Sequence, residues 1–182
     1  MGLQGTEVRL SEEERQRAAA AAVAVNENKA RLGKPGSYDK YGVDPLESRY
    51  QSFCAEAAVA KVLGIPEPEW PVLPGGDGKI DLTTPAGLTV QVKYRGERGR
   101  DLATEGLDFW DELRADVYVL VWPSLWGAGS YTVVGWCSRE EFFNRILTRE
   151  PVRMKGRKFE MRWQDMRPMP ELVWLTAGEI SA

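Results

Sequence analysis

Asp81, Gln91 and Lys93 are the residues from which chemistry could be built. They stand in Gly78-Lys79-Ile80-Asp81-Leu82 and Leu88-Thr89-Val90-Gln91-Val92-Lys93, alternating segments on either side of Pro85-Ala86-Gly87. That pattern predicts a β-hairpin. Ile80 and Leu82 must share a face with Val90 and Val92, so even positions pair with even and odd with odd. A two-residue loop would set Asp81 against Val90 and break the rule. A three-residue loop, with Pro85 leading a type I turn and Gly87 supplying the positive φ of a bulge, pairs Asp81 with Gln91. Asp81, Gln91 and Lys93 then gather on one face of strands whose other face is apolar. An acid, an amide and an amine make a poor core and a suitable cation site.

The rest of the composition narrows the chemistry. The chain of 182 residues contains no histidine. That removes Ser-His-Asp and Cys-His catalysis, His-ligated zinc and HNH-type nuclease chemistry. Cys54 and Cys137 are far apart in apolar segments and read as reduced, buried thiols of a cytoplasmic protein. Neither a G-x-x-x-x-G-K-[ST] loop nor a G-x-G-x-x-G following a strand is present. No signal-peptide pattern or membrane-length apolar run is expected. Carboxylates, lysine and a hard cation are what remain. The formal net charge of −3 argues against a protein that coats nucleic acid through its overall field. Local clusters differ: Lys93, Arg95, Arg98 and Arg100 follow the hairpin, and Arg153, Lys155, Arg157, Lys158 and Arg162 lie near the C-terminus. Each fits phosphate contacts or a solvated surface.

Elements that would position the hairpin can be read in order. Ser11 and Glu14 form a capping box for an alanine-rich helix running to about Leu32, stopped by Gly33 and Pro35. That helix is expected to pack loosely on the domain or on a second subunit. Asp44-Pro45 starts a second helix, with Leu46, Tyr50, Phe53, Ala57 and Ala60 as its buried stripe and Gly64 as its end. Glu56 sits on the border of the stripe between alanines. It is either an ordinary surface glutamate or a carboxylate that another element approaches closely. Trp70 to Leu73 is at best an edge strand. Gly96 to Gly106 reads as a mobile loop, and Leu107 to Leu113 as a short helix. Val117–Trp122 is a strand buried on both faces, Tyr131–Cys137 its partner, Ser138–Glu141 the cap of a helix to Leu147. Arg157–Trp163 reads as a half-exposed strand, and Leu172, Trp174 and Leu175 of the tail as packed on the domain surface. The fold class is α/β, a mixed central sheet flanked by helices. It forms one domain: an N-terminal helix and connector over 1–43, a core over 44–147, and a C-terminal strand and tail over 148–182.

A helix-borne Glu56, then Gly78-Lys79-Ile80-Asp81, then Gln91-x-Lys93 closing an apolar strand resembles the PD-(D/E)XK nuclease superfamily. That group includes Holliday-junction resolvases, restriction enzymes and small phage-encoded nucleases. The likeness covers about Tyr50 to Leu147 and implies a restriction-endonuclease-like core of helix, three strands, helix, strand. Gln91 departs from the usual acid but is similar to the Gln-x-Lys variant of Mrr-type nucleases. Residue by residue, the resemblance implies a Mg²⁺ or Mn²⁺ site from Asp81, Gln91, the Val92 carbonyl and Glu56. Lys93 would orient or deprotonate the attacking water, and Arg95, Arg98 and Arg100 would hold the substrate backbone. Asp77 is a candidate extra carboxylate. The implied function is metal-dependent hydrolysis of DNA phosphodiester bonds, with a homodimer through the alanine-rich helix as one arrangement. The reading from another class is a catalytically inactive protein of this fold that binds nucleic acid or a protein partner.

Overall fold

The computed structural model describes residues 5–33, 44–70, 72, 80–104, 113–147 and 159–177. Its centre is a mixed sheet of five strands in the order β1-β6-β5-β3-β2, with β1 Thr6–Arg9, β2 Leu82–Thr83, β3 Thr89–Tyr94, β5 Val117–Pro123 and β6 Ser130–Ser138. β3 and β5 run parallel, and the other pairs are antiparallel. A parallel pair requires a crossover. Between the two strands in sequence lies β4, Leu102–Thr104, which pairs with β7, Phe159–Met161, in a separate two-stranded ribbon. The stretch expected to be a mobile loop therefore contains a strand, and Leu102 is fully buried.

Helices cover both faces. On one side lie α1 (Glu12–Arg31), α2 (Pro45–Leu63) and α4 (Met169–Ala177), which share a core with Val90, Val92, Val117, Val119 and Val121. On the other, α3 (Arg139–Leu147) and the ribbon close over Tyr118, Leu120 and Trp122. The α/β class and the mixed sheet expected from the sequence are both present.

Local chemistry explains the helix ends. Ser11 and Glu14 close a reciprocal capping box at α1, and Leu32 with Gly33 ends it. The Asp44 carboxylate accepts the Leu46 N–H at the start of α2, Pro45 fills the first turn, and Gly64 closes it at φ 66°. Ser138 and Glu141 repeat the capping box at α3, at 2.9 and 3.1 Å. Small residues then decide how the helices pack. Ala18 and Ala22 of α1 are fully buried, against the loose packing expected of that helix. α2 is buried all round from Phe53 to Ala60, because sheet, α1 and α4 all approach its alanines. Leu46, placed in its stripe by periodicity, is instead exposed.

The Glu141 carboxyl also accepts Arg167 at 2.6 Å. Burial pushes that carboxyl upward, but the Ser138 N–H and Arg167 outweigh it and hold it below the ordinary range. A depressed folded-state pKa stabilises above the unfolded value and stops doing so as pH falls through the folded one. Glu141→Gln keeps the cap but drops the ion pair. It is expected to lose about 0.5–1 kcal/mol at pH 7. In urea titrations the gap to wild type should close as pH is taken below about 4.

At the C-terminal side, Leu172 is buried as expected, but Trp174 and Leu175 are exposed, a correction to their placement on the domain surface. Trp70 and Val72 lie outside any strand. Asp77, the proposed helix over 107–112 and the basic cluster 153–158 lie outside the described residues. No helix among those described is long and apolar enough to cross a membrane.

Candidate metal and nucleic-acid site

The hairpin closes as its pattern requires. Leu82 pairs with Val90 and Thr83 with Thr89. Thr84 N–H donates to the Leu88 carbonyl at 2.9 Å, and Gly87 N–H to the Thr84 carbonyl at 2.8 Å. Pro85, Ala86 and Gly87 are left as the three-residue loop, with Gly87 at φ 82°. The paired residues end at Leu82 and Val90, and the Asp81–Gln91 pair expected from the sequence does not form as a ladder pair. Asp81 N–H donates to the Val90 carbonyl at 2.9 Å, and its carboxylate accepts the next edge donor, Val92 N–H, at 2.6 Å. A side chain has taken over a backbone position on the sheet edge.

That bond orients the site. Val90 and Val92 present their backbone groups to the β2 edge, so the Val92 carbonyl leaves the strand beside Asp81. Their side chains enter the core under α2. Gln91 and Lys93 therefore lie on the other face, in register with Tyr118 and Leu120 of β5. Gln91 is buried and Lys93 half-buried. The structure thus joins Asp81 directly to Val92 and sets Gln91 and Lys93 two residues apart on one face.

Glu56 comes from the helix behind the sheet. It is 7% exposed, which excludes the ordinary surface glutamate. The Trp70 indole N–H donates to its carboxylate at 2.7 Å, and Trp70 stacks on Phe53 at 5.0 Å. Phe53 and Glu56 are one helical turn apart, so a single indole covers both. One anchor of Glu56 is therefore Trp70.

Positive charge follows β3. Arg95 donates to the Ala103 carbonyl at 2.7 Å, and Arg98 to the Thr132 hydroxyl at 3.0 Å, with Glu7 at 3.7 Å. Arg100 is exposed and ion-paired with Glu97 at 2.7 Å. Arg98 is thereby tied into the β1–β6 side of the sheet, while Arg100 extends into solvent.

Residues beyond those expected enter the site. Trp70 holds Glu56; an indole needs a partner when buried, and that was the available signal. Tyr118 is the register partner of Gln91. Burial pushes its hydroxyl up to about 12, and the neighbouring Asp81 charge acts in the same direction. Tyr118 therefore stays protonated through the physiological range, a neutral wall on the Gln91 face. Asp116 accepts both the N–H and the hydroxyl of Thr89, at 2.9 and 2.5 Å, and holds the start of β3. An open cavity of about 560 Å³ lies by Asp116, Arg139 and Asn144, away from Lys93.

The donors fit a hard cation: two carboxylates, an amide oxygen and a backbone carbonyl, with neither thiolate nor imidazole. No group of three or more acidic, Cys or His side chains that could hold a metal occurs among the described residues. A set built on Glu56 and Asp81 contains only two acids and would need oxygen from water and substrate to complete six-fold coordination.

No protein-family model, no curated protein and no solved structure matches the chain.

Proposed function

We propose that the protein is a metal-dependent nuclease that hydrolyses DNA phosphodiester bonds. The observation that carries this reading is the seat of Asp81. Its carboxylate accepts the Val92 N–H on the β2 side of β3, the strand that carries Gln91 and Lys93. A buried Glu56 on the helix packed against β3 adds a second acid. The resemblance of the same residues to the PD-(D/E)XK pattern supports a restriction-endonuclease-like core.

Under this reading Asp81, Gln91 and the Val92 carbonyl hold Mg²⁺ or Mn²⁺, and Glu56, which Trp70 fixes on the α2 side of β3, serves as an outer carboxylate that reaches the cation through its water. A cation there supplies charge that polarises the scissile phosphate. Lys93 orients the attacking water and meets the negative charge that grows on the phosphate oxygens. Tyr118 keeps bulk water off the Gln91 face. Arg100 meets the DNA backbone from the exposed side.

Purified protein incubated with plasmid, linear and branched DNA should cleave in Mg²⁺ or Mn²⁺ and not in EDTA. Lys93→Ala should slow cleavage by about 10²- to 10⁴-fold. Cleavage that persists in EDTA, or that Lys93→Ala leaves untouched, would assign it to another site. DNA binding without cleavage in either metal would favour the inactive, nucleic-acid-binding reading.

A further inference from the structure

The tip of the β5–β6 hairpin holds two large apolar side chains in solvent. Leu125 is 77% exposed and Trp126 67%. The turn beneath them is built by its own bonds. Ser124 N–H donates to the Ser130 carbonyl and Ser130 N–H to the Gly127 carbonyl, both at 3.1 Å. Trp126 N–H donates to the Ser124 hydroxyl at 3.0 Å. A hairpin that orders its turn and leaves an indole outside presents that indole.

What surrounds the tip indicates a ligand. The stretch from Lys93 to Asp101 carries Lys93, Arg95, Arg98 and Arg100 against Glu97 and Asp101, an excess of positive charge. It is fastened along the end of β5: Arg95 N–H to the Val121 carbonyl at 2.9 Å, Arg98 to the Pro123 carbonyl at 3.4 Å, and the Trp122 indole to the Arg100 carbonyl at 2.9 Å. Cations and an exposed indole therefore share one end of the parallel strands. Trp174 and Leu175, also exposed, have no comparable cluster of cations beside them among the described residues. They lie by Glu171 and by Arg167, which is paired with Glu141.

Single-stranded nucleic acid has the matching chemistry, phosphates for the cations and a flat base for the indole. Resting on the proposed nuclease reading, we propose that Trp126 is a stacking platform for an unpaired base, with Leu125 beside it, so that the substrate is DNA carrying single-stranded nucleotides. Lys93 is level with Leu120, and β5 ends at Pro123. At about 3.3 Å per residue, strand and turn set Trp126 on the order of 10–20 Å from Lys93. That is about three to six nucleotides at a rise of 3.4 Å. The base held at Trp126 lies a few nucleotides from the bond at Lys93.

Fluorescence anisotropy with labelled single-stranded DNA, blunt duplex and duplex with a 3′ or 5′ overhang, in EDTA so that nothing is cut, tests this. Wild type should prefer the substrates with unpaired bases. Trp126→Ala should weaken that binding by about 5- to 100-fold, and Trp126→Phe should restore most of it. Both variants should keep the wild-type circular dichroism spectrum, because the side chain is on the surface. Unchanged affinity in Trp126→Ala, while wild type binds DNA, overturns the platform and leaves the nuclease reading standing. So does loss of self-association in that variant, by sedimentation, without loss of DNA binding. Wild type that binds none of these DNAs overturns both.

Discussion

Asp81→Asn is expected to abolish metal-dependent DNA hydrolysis, by about 10³-fold or more, in a protein that remains folded. The substitution separates two duties of one side chain. As an edge residue, Asp81 accepts the Val92 N–H at 2.6 Å, and the Asn carbonyl oxygen can accept the same proton. A neutral acceptor is weaker than a charged one, so the stability loss should be about 1 kcal/mol. For a chain of this size that is about 2–4 °C in Tm. As a cation ligand, Asn contributes no charge to a set that already contains the neutral Gln91. Several kcal/mol of transition-state stabilisation should go with it, which gives the fold-change stated. Cleavage rates, Tm and Mn²⁺ titration calorimetry on the one variant read both duties. Cleavage at the wild-type rate with an ordinary Tm would make Asp81 an edge support alone.

The hairpin was legible because its signals are local. Period-two alternation forced even-with-even pairing, and Pro85 and Gly87 chose the loop; Leu82–Val90 and Thr83–Thr89 pair as that reasoning requires. Caps were equally readable, at Ser11, Asp44, Gly64 and Ser138. Tertiary context hid the rest. Thr6–Arg9 is too short to show a period, and becomes a strand only because β6 offers it an edge. Leu102–Thr104 lies among glycines and charges, and is a strand through pairing with β7. Glu56 is the most instructive residue. A helical wheel assigns it to a border, but an alanine-rich helix enclosed on all sides has no outer face between Phe53 and Ala60. Nor could charge counting tell that Arg98 is held by Thr132 and Glu7 while Arg100 remains exposed.

Gly135→Ala should be among the most damaging single substitutions, although it adds one methyl. β6 carries an extra residue at this point, since Leu120 pairs with Gly135 while Val121 pairs with Val133. The bulge resets the alternation, and Val134 and Trp136 consequently face opposite cores. It also brings the C-terminal segment onto the strand. Trp136 and Arg167 exchange backbone hydrogen bonds at 2.9 and 2.8 Å, and the Trp136 indole donates to the Pro168 carbonyl at 3.2 Å. A Cβ on Gly135 would stand 2.6 Å from the Arg167 carbonyl oxygen and 3.1 Å from the Met166 Cβ. The first of these is backbone, pinned from both sides, and cannot swing away like a side chain. Either the strand distorts or the segment leading into α4 lifts, taking buried Met169 and Leu172 with it. An expected loss of about 2–3 kcal/mol, or roughly 4–12 °C, follows. Gly96→Ala is the control: nothing lies within 4 Å of its Cβ, and its backbone is not in the left-handed region. Thermal melts of the two should separate clearly, with proteolysis of Gly135→Ala cutting first near Arg167. Equal melting temperatures would mean that the C-terminal segment does not pack against Gly135 in solution.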